Sequence, residues 1–433
     1  MSFQKPILQV AIDFIDLNRA LKIAEESVAG GVDWIEVGTP LIKSEGLNAV
    51  RTLRKKFPEK TIVADMKIMD VGSLEVQMAA EAGAQVVIML GVTDDSTIRE
   101  GVEAAARYGS QIMVDLINVD DMSTRAFALE KLGVDYICVH VGIDQQMRGM
   151  DPLEILANVL DVVNIPVAVC GGINSESAAK AVEAGASIVI VGGAITKAEN
   201  AEKATSIVKK AMYTRKPITT KLYKKYGEKE LIDVFMKVST PNISDALHRK
   251  GEMRGLRSIT QGVKAVGTAV TVRAYPGDWA KPVEAIDISG PGNVIVIEAA
   301  GGNKAVWGEL ATWSCIQKKV EGVIIDGAIR DIDEIRAVKF PAFAKHINPT
   351  AGDPKGFGEI NVEIVCGGVK VRPGDWIVAD DNGVIVVPKE IAVEIANRSL
   401  DVLERENRIR EEIKQGSTLS KVLHLKKWEK IVG

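Results

Sequence analysis

Short runs of consecutive apolar residues, too brief for helices and separated by amphipathic stretches, recur through the first 212 residues. Eight of them, at 7–13, 34–38, 61–67, 86–91, 111–117, 136–141, 166–171 and 188–192, predict strands. Most are apolar at nearly every position, as parallel strands covered on both faces must be. One phrase repeats: a helix end, a glycine, then an apolar run. It stands at Ala29-Gly30-Gly31-Val32-Asp33-Trp34, Glu81-Ala82-Gly83-Ala84, Lys131-Leu132-Gly133-Val134-Asp135-Tyr136 and Glu183-Ala184-Gly185-Ala186. Gly31, Gly83, Gly133 and Gly185 are 52, 50 and 52 residues apart, each where a helix should end in a left-handed cap. That period equals two βα units. Eight strands alternating with helices therefore predict an α/β fold, a closed (β/α)8 barrel over residues 1–212. An open doubly wound sheet is the alternative, and the regular spacing favours closure.

The pattern then changes. Residues 213–229 carry six basic side chains against one acid, with Pro217 and Gly227, and read as a solvated linker reaching to 230. Beyond it, short β-type runs (Gly267–Val272, Val294–Ile297, Gly322–Asp326, Gly383–Pro388) are mixed with a helix around Trp307–Lys318. This predicts a second compact α/β domain with a mixed sheet over 231–400. The charged tail from 401 to 433 reads as a helix that is solvated or packs within an oligomer.

At 433 residues the chain exceeds one ordinary domain, and 46% hydrophobic with 26% charged residues is normal for a soluble globular protein. The net charge of −4 gives no electrostatic reason to expect nucleic acid or a membrane surface. Cys138, Cys170, Cys315 and Cys366 are scattered, as reduced thiols of a cytoplasmic protein would be. Met1–Pro6 lack the apolar core of a signal peptide, and no run of about 18 apolar residues occurs. The expectation is a soluble, cytoplasmic protein.

Chemistry gathers at predicted strand ends. Asp65-Met66-Lys67-Ile68-Met69-Asp70 follows the apolar run Thr61-Ile62-Val63-Ala64, and such buried charges are costly unless paired or holding a metal. A barrel would collect Asp13, Glu36, Asp65, Lys67, Asp115 and His140 at one mouth. Strands 7 and 8 would end there in Gly171-Gly172 and Gly192-Gly193, turns suited to phosphate through backbone N–H groups.

These residues, roughly 5–212, resemble the orotidine-monophosphate decarboxylase superfamily, whose mark is D-x-K-x-x-D after strand 3, and most of all its hexulose-phosphate synthase branch. Glu36 stands where the nucleotide decarboxylases have lysine. The resemblance implies Mg²⁺ held by Glu36 and Asp65, an enediolate stabilised with Lys67, a substrate hydroxyl on Asp13, and His140 as general acid/base. It implies that Asp70 reaches into a neighbouring subunit, hence a homo-oligomer. The implied substrates are ribulose 5-phosphate and formaldehyde. Ile143 replaces an arginine that the related keto-gulonate-phosphate decarboxylases carry, and Gly193 replaces one found in many relatives, leaving phosphate to backbone amides.

In the second domain the loop Ala300-Gly301-Gly302-Asn303-Lys304-Ala305 is expected to precede a helix and offer amides to an anion, with Glu309 on that helix. A strand ending at Asp326 leads to Arg330-Asp331. Glu309 and Arg330 with 20 residues between them resemble aldolase members of the regulator-of-ribonuclease-activity A family, over roughly 235–400. The resemblance implies a second divalent metal on Asp331. Arg330 and the loop amides of Gly301, Gly302 and Asn303 would hold a keto acid, and Glu309 would orient water. Trimers are implied. A non-catalytic ribonuclease-regulating module is the alternative; a quinone methyltransferase lacks any supporting nucleotide motif.

Overall fold

The computed structural model describes residues 5–220 and 223–423; Met1–Gln4, two residues of the basic linker and 424–433 of the tail lie outside it. The chain forms two compact units. One comprises residues 1–225 together with 404–433, the other Tyr226–Leu403.

In the first unit, β1 (Ile7–Ile12), β2 (Trp34–Val37), β3 (Thr61–Ile68), β4 (Val86–Leu90), β5 (Gln111–Asp115), β6 (Tyr136–His140), β7 (Val167–Cys170) and β8 (Ile188–Val191) close a parallel barrel. β1 pairs with both β2 and β8, so the expected closure holds. Inward side chains such as Val63, Ile88, Met113 and Ile190 fill the barrel, while the outward set packs beneath the helices. Trp34 and Tyr136 meet edge to face at 5.5 Å between ring centroids, at the N-terminal ends of their strands. The four repeat glycines all have positive φ, from 87° to 115°, which is why glycine recurs at that point of the phrase. Asp16, Asp94, Asp121, Asp151, Asn174 and Asn200 each accept a first-turn amide, fixing where helices begin, at about 1 kcal/mol apiece.

The helix Ala392–Lys414 starts in the second unit, and its residues from Glu404 group with the barrel. Through residues such as Arg408 this stretch of the expected solvated or oligomer-packing tail packs on the barrel instead. Arg408 is 3% exposed. Its guanidinium donates to Glu26 at 3.0 and 3.2 Å, to Glu412 at 3.1 Å, and to the carbonyls of Ala198 and Glu199 at 3.1 Å. Arg19 adds a bond to Glu412 at 3.0 Å. A buried guanidinium needs this many acceptors, and here they fix the tail to the barrel's outer helices.

The second unit has the expected mixed sheet. Its order is Arg257–Ser258, Ala342–Ile347, Gly322–Ile329, Asn293–Glu298, Ala265–Ala274, Trp376–Asp380, Gly383–Val387, Glu252–Met253, with a parallel centre and antiparallel flanks. Two local expectations fail. Ala305–Trp307 is a short strand, so the glycine loop leads into a strand and the helix begins only at Glu309. The strand expected to end at Asp326 runs on to Ile329, with a register shift between Ile325 and Ala328. Among the described residues no helix is long and apolar enough to cross a membrane.

Candidate active site

The C-terminal ends of the barrel strands surround a cavity of about 680 Å³. Asp13, Glu36, Asp65, Lys67, Asp115 and His140 all line it, together with Gly171, Gly172, Gly192 and Gly193. Local backbone geometry makes this possible. A Cβ on Gly38 would overlap the Asp13 carboxylate, so the turn after β2 must be glycine for Asp13 to sit there. β3 shifts register against β4 between Ala64 and Ile68, and Lys67 has φ 48°. A lysine held in the left-handed region is strained, and surrounding contacts must over-determine it.

Those contacts form one network. Lys67 Nζ lies 2.8 Å from Asp115 Oδ2 and 3.2 Å from Asp65 Oδ2. His140 Nδ1 lies 2.8 Å from the same Asp115 oxygen. Thr39 donates to Asp65 Oδ2 at 2.7 Å, and Gln9 donates to Glu36 Oε2 at 2.5 Å. Asp115 is 3% exposed. Burial alone would raise its carboxyl, but His140 and Lys67 outweigh it and bring the pKa down to about 2. Burial likewise works against the Lys67 ammonium, yet Asp65 and Asp115 hold it above its ordinary value.

The other carboxylates go the opposite way. Burial, then the charges of Asp65 and Asp13, push Glu36 well above the usual range. Asp13 is reached by water through the cavity but crowded by protein; that burial and Asp65 raise it too. Glu36 and Asp13 are thus disfavoured as anions beside Asp65, as at a site for an added cation. Asp65 Oδ1 is buried without a hydrogen-bond partner. Among the described residues no cluster of three or more His, Cys, Asp or Glu is placed to hold a metal alone. Two carboxylates with substrate and water oxygens are the donor set a hard cation such as Mg²⁺ uses, and Glu36 with Asp65 fit it.

Asp70 is not brought to the cavity. It is exposed, and its Oδ1 accepts the Val71 amide at 2.7 Å. The sequence reading missed Gln9 and Thr39. A lone polar residue inside the apolar run Ile7–Ile12 is the signal that marks Gln9. Cys138 and Cys170 also line the cavity, their Sγ atoms 3.5 Å apart, and their thiols are pushed up, partly by burial and neighbouring carboxylates.

In the second unit Glu309, Arg330 and Asp331 are neighbours, with the Glu309 backbone amide, not its carboxylate, on Asp331. Asp331 Oδ2 accepts the Glu309 amide at 3.1 Å and lies 3.5 Å from Arg330 Nε. Trp313 Nε1 donates to Glu309 Oε1 at 3.2 Å. Asp331 has φ 55°, and a Cβ on Gly308 would overlap its carboxylate. The Arg330 and Asp331 side chains are 44% and 37% exposed. The glycine loop corrects the sequence reading. Gly301 N–H is spent on Asp326 O at 3.0 Å and Gly302 N–H on Ala299 O at 2.9 Å, so neither amide is free for an anion. Asn303 is exposed.

Residues 6–207 match the family "Orotidine 5'-phosphate decarboxylase / HUMPS family", and residues 240–386 match "RraA-like: Aldolase/RraA". A 3-hexulose-6-phosphate synthase of Bacillus subtilis is 41% identical over 206 residues, which is 46% of this chain and 98% of that protein. The crystal structure of a 3-hexulose-6-phosphate synthase from Salmonella typhimurium is 40% identical, covering 48% of this chain and 99% of its own, with a TM-score of 0.47. The structure of an RNA-processing inhibitor RraA from Thermus thermophilis is 26% identical, covering 35% and 92%, with a TM-score of 0.33.

Proposed function

The chain belongs, through residues 6–207, to the orotidine 5'-phosphate decarboxylase / HUMPS family, and from that premise we propose that its barrel is a divalent-metal-dependent 3-hexulose-6-phosphate synthase. The observation that carries the reading is the Glu36–Asp65 carboxylate pair, with its unpartnered Asp65 oxygen, beside the Lys67–Asp115–His140 network. Glu36 and Asp65 would hold Mg²⁺, which when bound supplies Lewis-acid polarisation of the sugar's carbonyl and hydroxyl oxygens.

The remaining work falls to the chain's own side chains. Asp115 occupies His140 Nδ1, so Nε2 is the ring nitrogen left to act on the substrate as general base. Nε2 takes the proton from C1 of ribulose 5-phosphate, and the resulting enediolate carbon bonds to formaldehyde. The same nitrogen returns the proton to the new alkoxide. Lys67, held charged by two carboxylates, would stabilise the developing enediolate oxygen. Asp13 positions a sugar hydroxyl. A keto-gulonate-phosphate decarboxylase is the other outcome of the same mouth, but the side chain at 143 is isoleucine, 56% exposed on the cavity wall. Formaldehyde consumption with ribulose 5-phosphate, first with Mg²⁺ and then with EDTA, tests the proposal. Metal-dependent loss of formaldehyde supports it, and no loss by a folded protein overturns it.

For the second unit the reading is a metal-dependent keto-acid aldolase or decarboxylase, with Asp331 on the metal, Arg330 on the keto acid and Glu309 on water. Pyruvate release from oxaloacetate, abolished in Asp331→Ala, is its test; no release by the parent protein leaves the ribonuclease-regulating module. Met69, Val71, Leu74 and Met78 are 43–61% exposed around Asp70, and we read that face as the seat of a second copy. Sedimentation of a Leu74→Glu variant as a smaller species would agree. Four unbonded cysteines fit a reducing, cytoplasmic setting.

A further inference from the structure

β8 is followed by Gly192-Gly193, which leaves that rim of the cavity without side chains from the strand's end. Residues from beyond the barrel complete it. A Cβ built on Gly193 would fall within the Tyr223 ring, so Tyr223 takes the space a β8 side chain would use. Tyr223 is 9% exposed. Its amide donates to Glu404 at 2.8 Å, and its carbonyl accepts Asn174 Nδ2 at 3.1 Å. Lys197 Nζ stands 4.9 Å from the ring centroid. Arg405 reaches the same cavity from the helix that Arg408 pins to the barrel.

Of the three side chains Lys197, Tyr223 and Arg405, only Lys197 lies within the family match, which ends at residue 207. The Bacillus subtilis relative is used up, to 98% of its length, by 206 aligned residues. Tyr223 and Arg405 are therefore additions of this chain to the barrel.

We propose that Lys197, Tyr223 and Arg405 form the phosphate-binding end of the sugar-phosphate site, an inference that rests on the synthase reading. A phosphate monoester carries up to two negative charges near neutral pH and takes bonds from ammonium, hydroxyl and the guanidinium fork. The opposite wall carries the carboxyl groups of Glu36 and Asp65. A cavity with cations at one end and the proposed metal pair at the other accepts a phosphorylated hydroxy-ketone in one orientation, phosphate outward to Arg405 and carbonyl inward to the carboxylate pair.

Calorimetric titration of the full-length protein with ribulose 5-phosphate, inorganic phosphate and unphosphorylated ribulose tests this. Arg405→Ala and Lys197→Ala should each weaken ribulose 5-phosphate and inorganic phosphate about tenfold and leave ribulose unchanged. Arg405→Lys should recover part of the loss. Gly193→Arg alone should impair sugar-phosphate binding by colliding with Tyr223, and Tyr223→Gly added to it should restore binding. Unchanged phosphate affinity in both alanine variants would overturn the proposal, as would a harmless Gly193→Arg. Arg405 is exposed, so its variants decide the matter even where Gly193→Arg does not fold. Arg405-dependent phosphate binding without formaldehyde consumption would sink the synthase reading alone. Consumption with an unmoved KM in Arg405→Ala would sink this inference alone.

Discussion

Both candidate sites place carboxylates and a cation at or just past strand C-termini, yet they treat them differently. In the barrel, Glu36, Asp65 and Asp115 are 3–5% exposed and Lys67 is gripped by two of the acids. In the second unit, Arg330 and Asp331 stand 3.5 Å apart at 44% and 37% exposure. Charges at low dielectric act on each other strongly, whereas water screens the exposed pair. The barrel thus tunes its groups within one unit. The second site offers geometry, a strained Asp331 and a bonded Glu309 amide, and its chemistry depends on what substrate or metal brings to it.

Substitutions can break this contrast. Glu36→Gln should cost about 10³-fold in formaldehyde consumption, because it removes a charge from the metal pair, while pyruvate release stays unchanged. Equal loss of both activities would mean the two sites are not independent. Lys67→Ala should cost about 10²-fold in kcat, with a smaller change in KM, if its charge matters chiefly as the enediolate forms. For the exposed site, Asp331→Ala should lower pyruvate release about 10²-fold and leave the midpoint of thermal unfolding within a degree or two, since an exposed pair holds little stability.

The pH dependence sharpens the same point on a smaller scale. Asp115 titrates near 3.8 when unfolded and at about 2 when folded. A depressed carboxyl contributes stability that is complete above its unfolded value and lost as the pH falls through the folded one. The contribution is about 2 kcal/mol, fading between roughly pH 5 and pH 2. Urea unfolding of the parent and of Asp115→Asn across that window should converge at the acid end. Parallel curves would show that the network does not hold Asp115 ionised.

The barrel was legible because its signals are local and repeated. Apolar runs, a glycine period near 52 residues and acids at run ends are all readable without knowing what meets what. The same locality exposed Asp13, Glu36, Lys67 and His140, since parallel strands deliver their C-termini to one rim. The loop amides of Gly301 and Gly302 misled, because a glycine pair does not reveal that carbonyls at Asp326 and Ala299 will claim its N–H groups. Arg408 was read as one charge among many on a polar helix, yet it meets Glu26 across 382 positions of chain. Tyr223 filling the space beside Gly193 is a contact of the same long-range kind. No window of sequence contains both partners.

The return of residues 404–423 to the barrel also sets an order of events during synthesis. Residues 1–225 emerge first, but the guanidinium that ties Glu26 to the Ala198–Glu199 turn is encoded after the entire second unit. At about 5–20 residues per second, the nascent barrel waits roughly ten to forty seconds for that clamp. Through this interval its mouth stands open at the Arg405 side, so completion of the first unit is deferred until the second has left the ribosome.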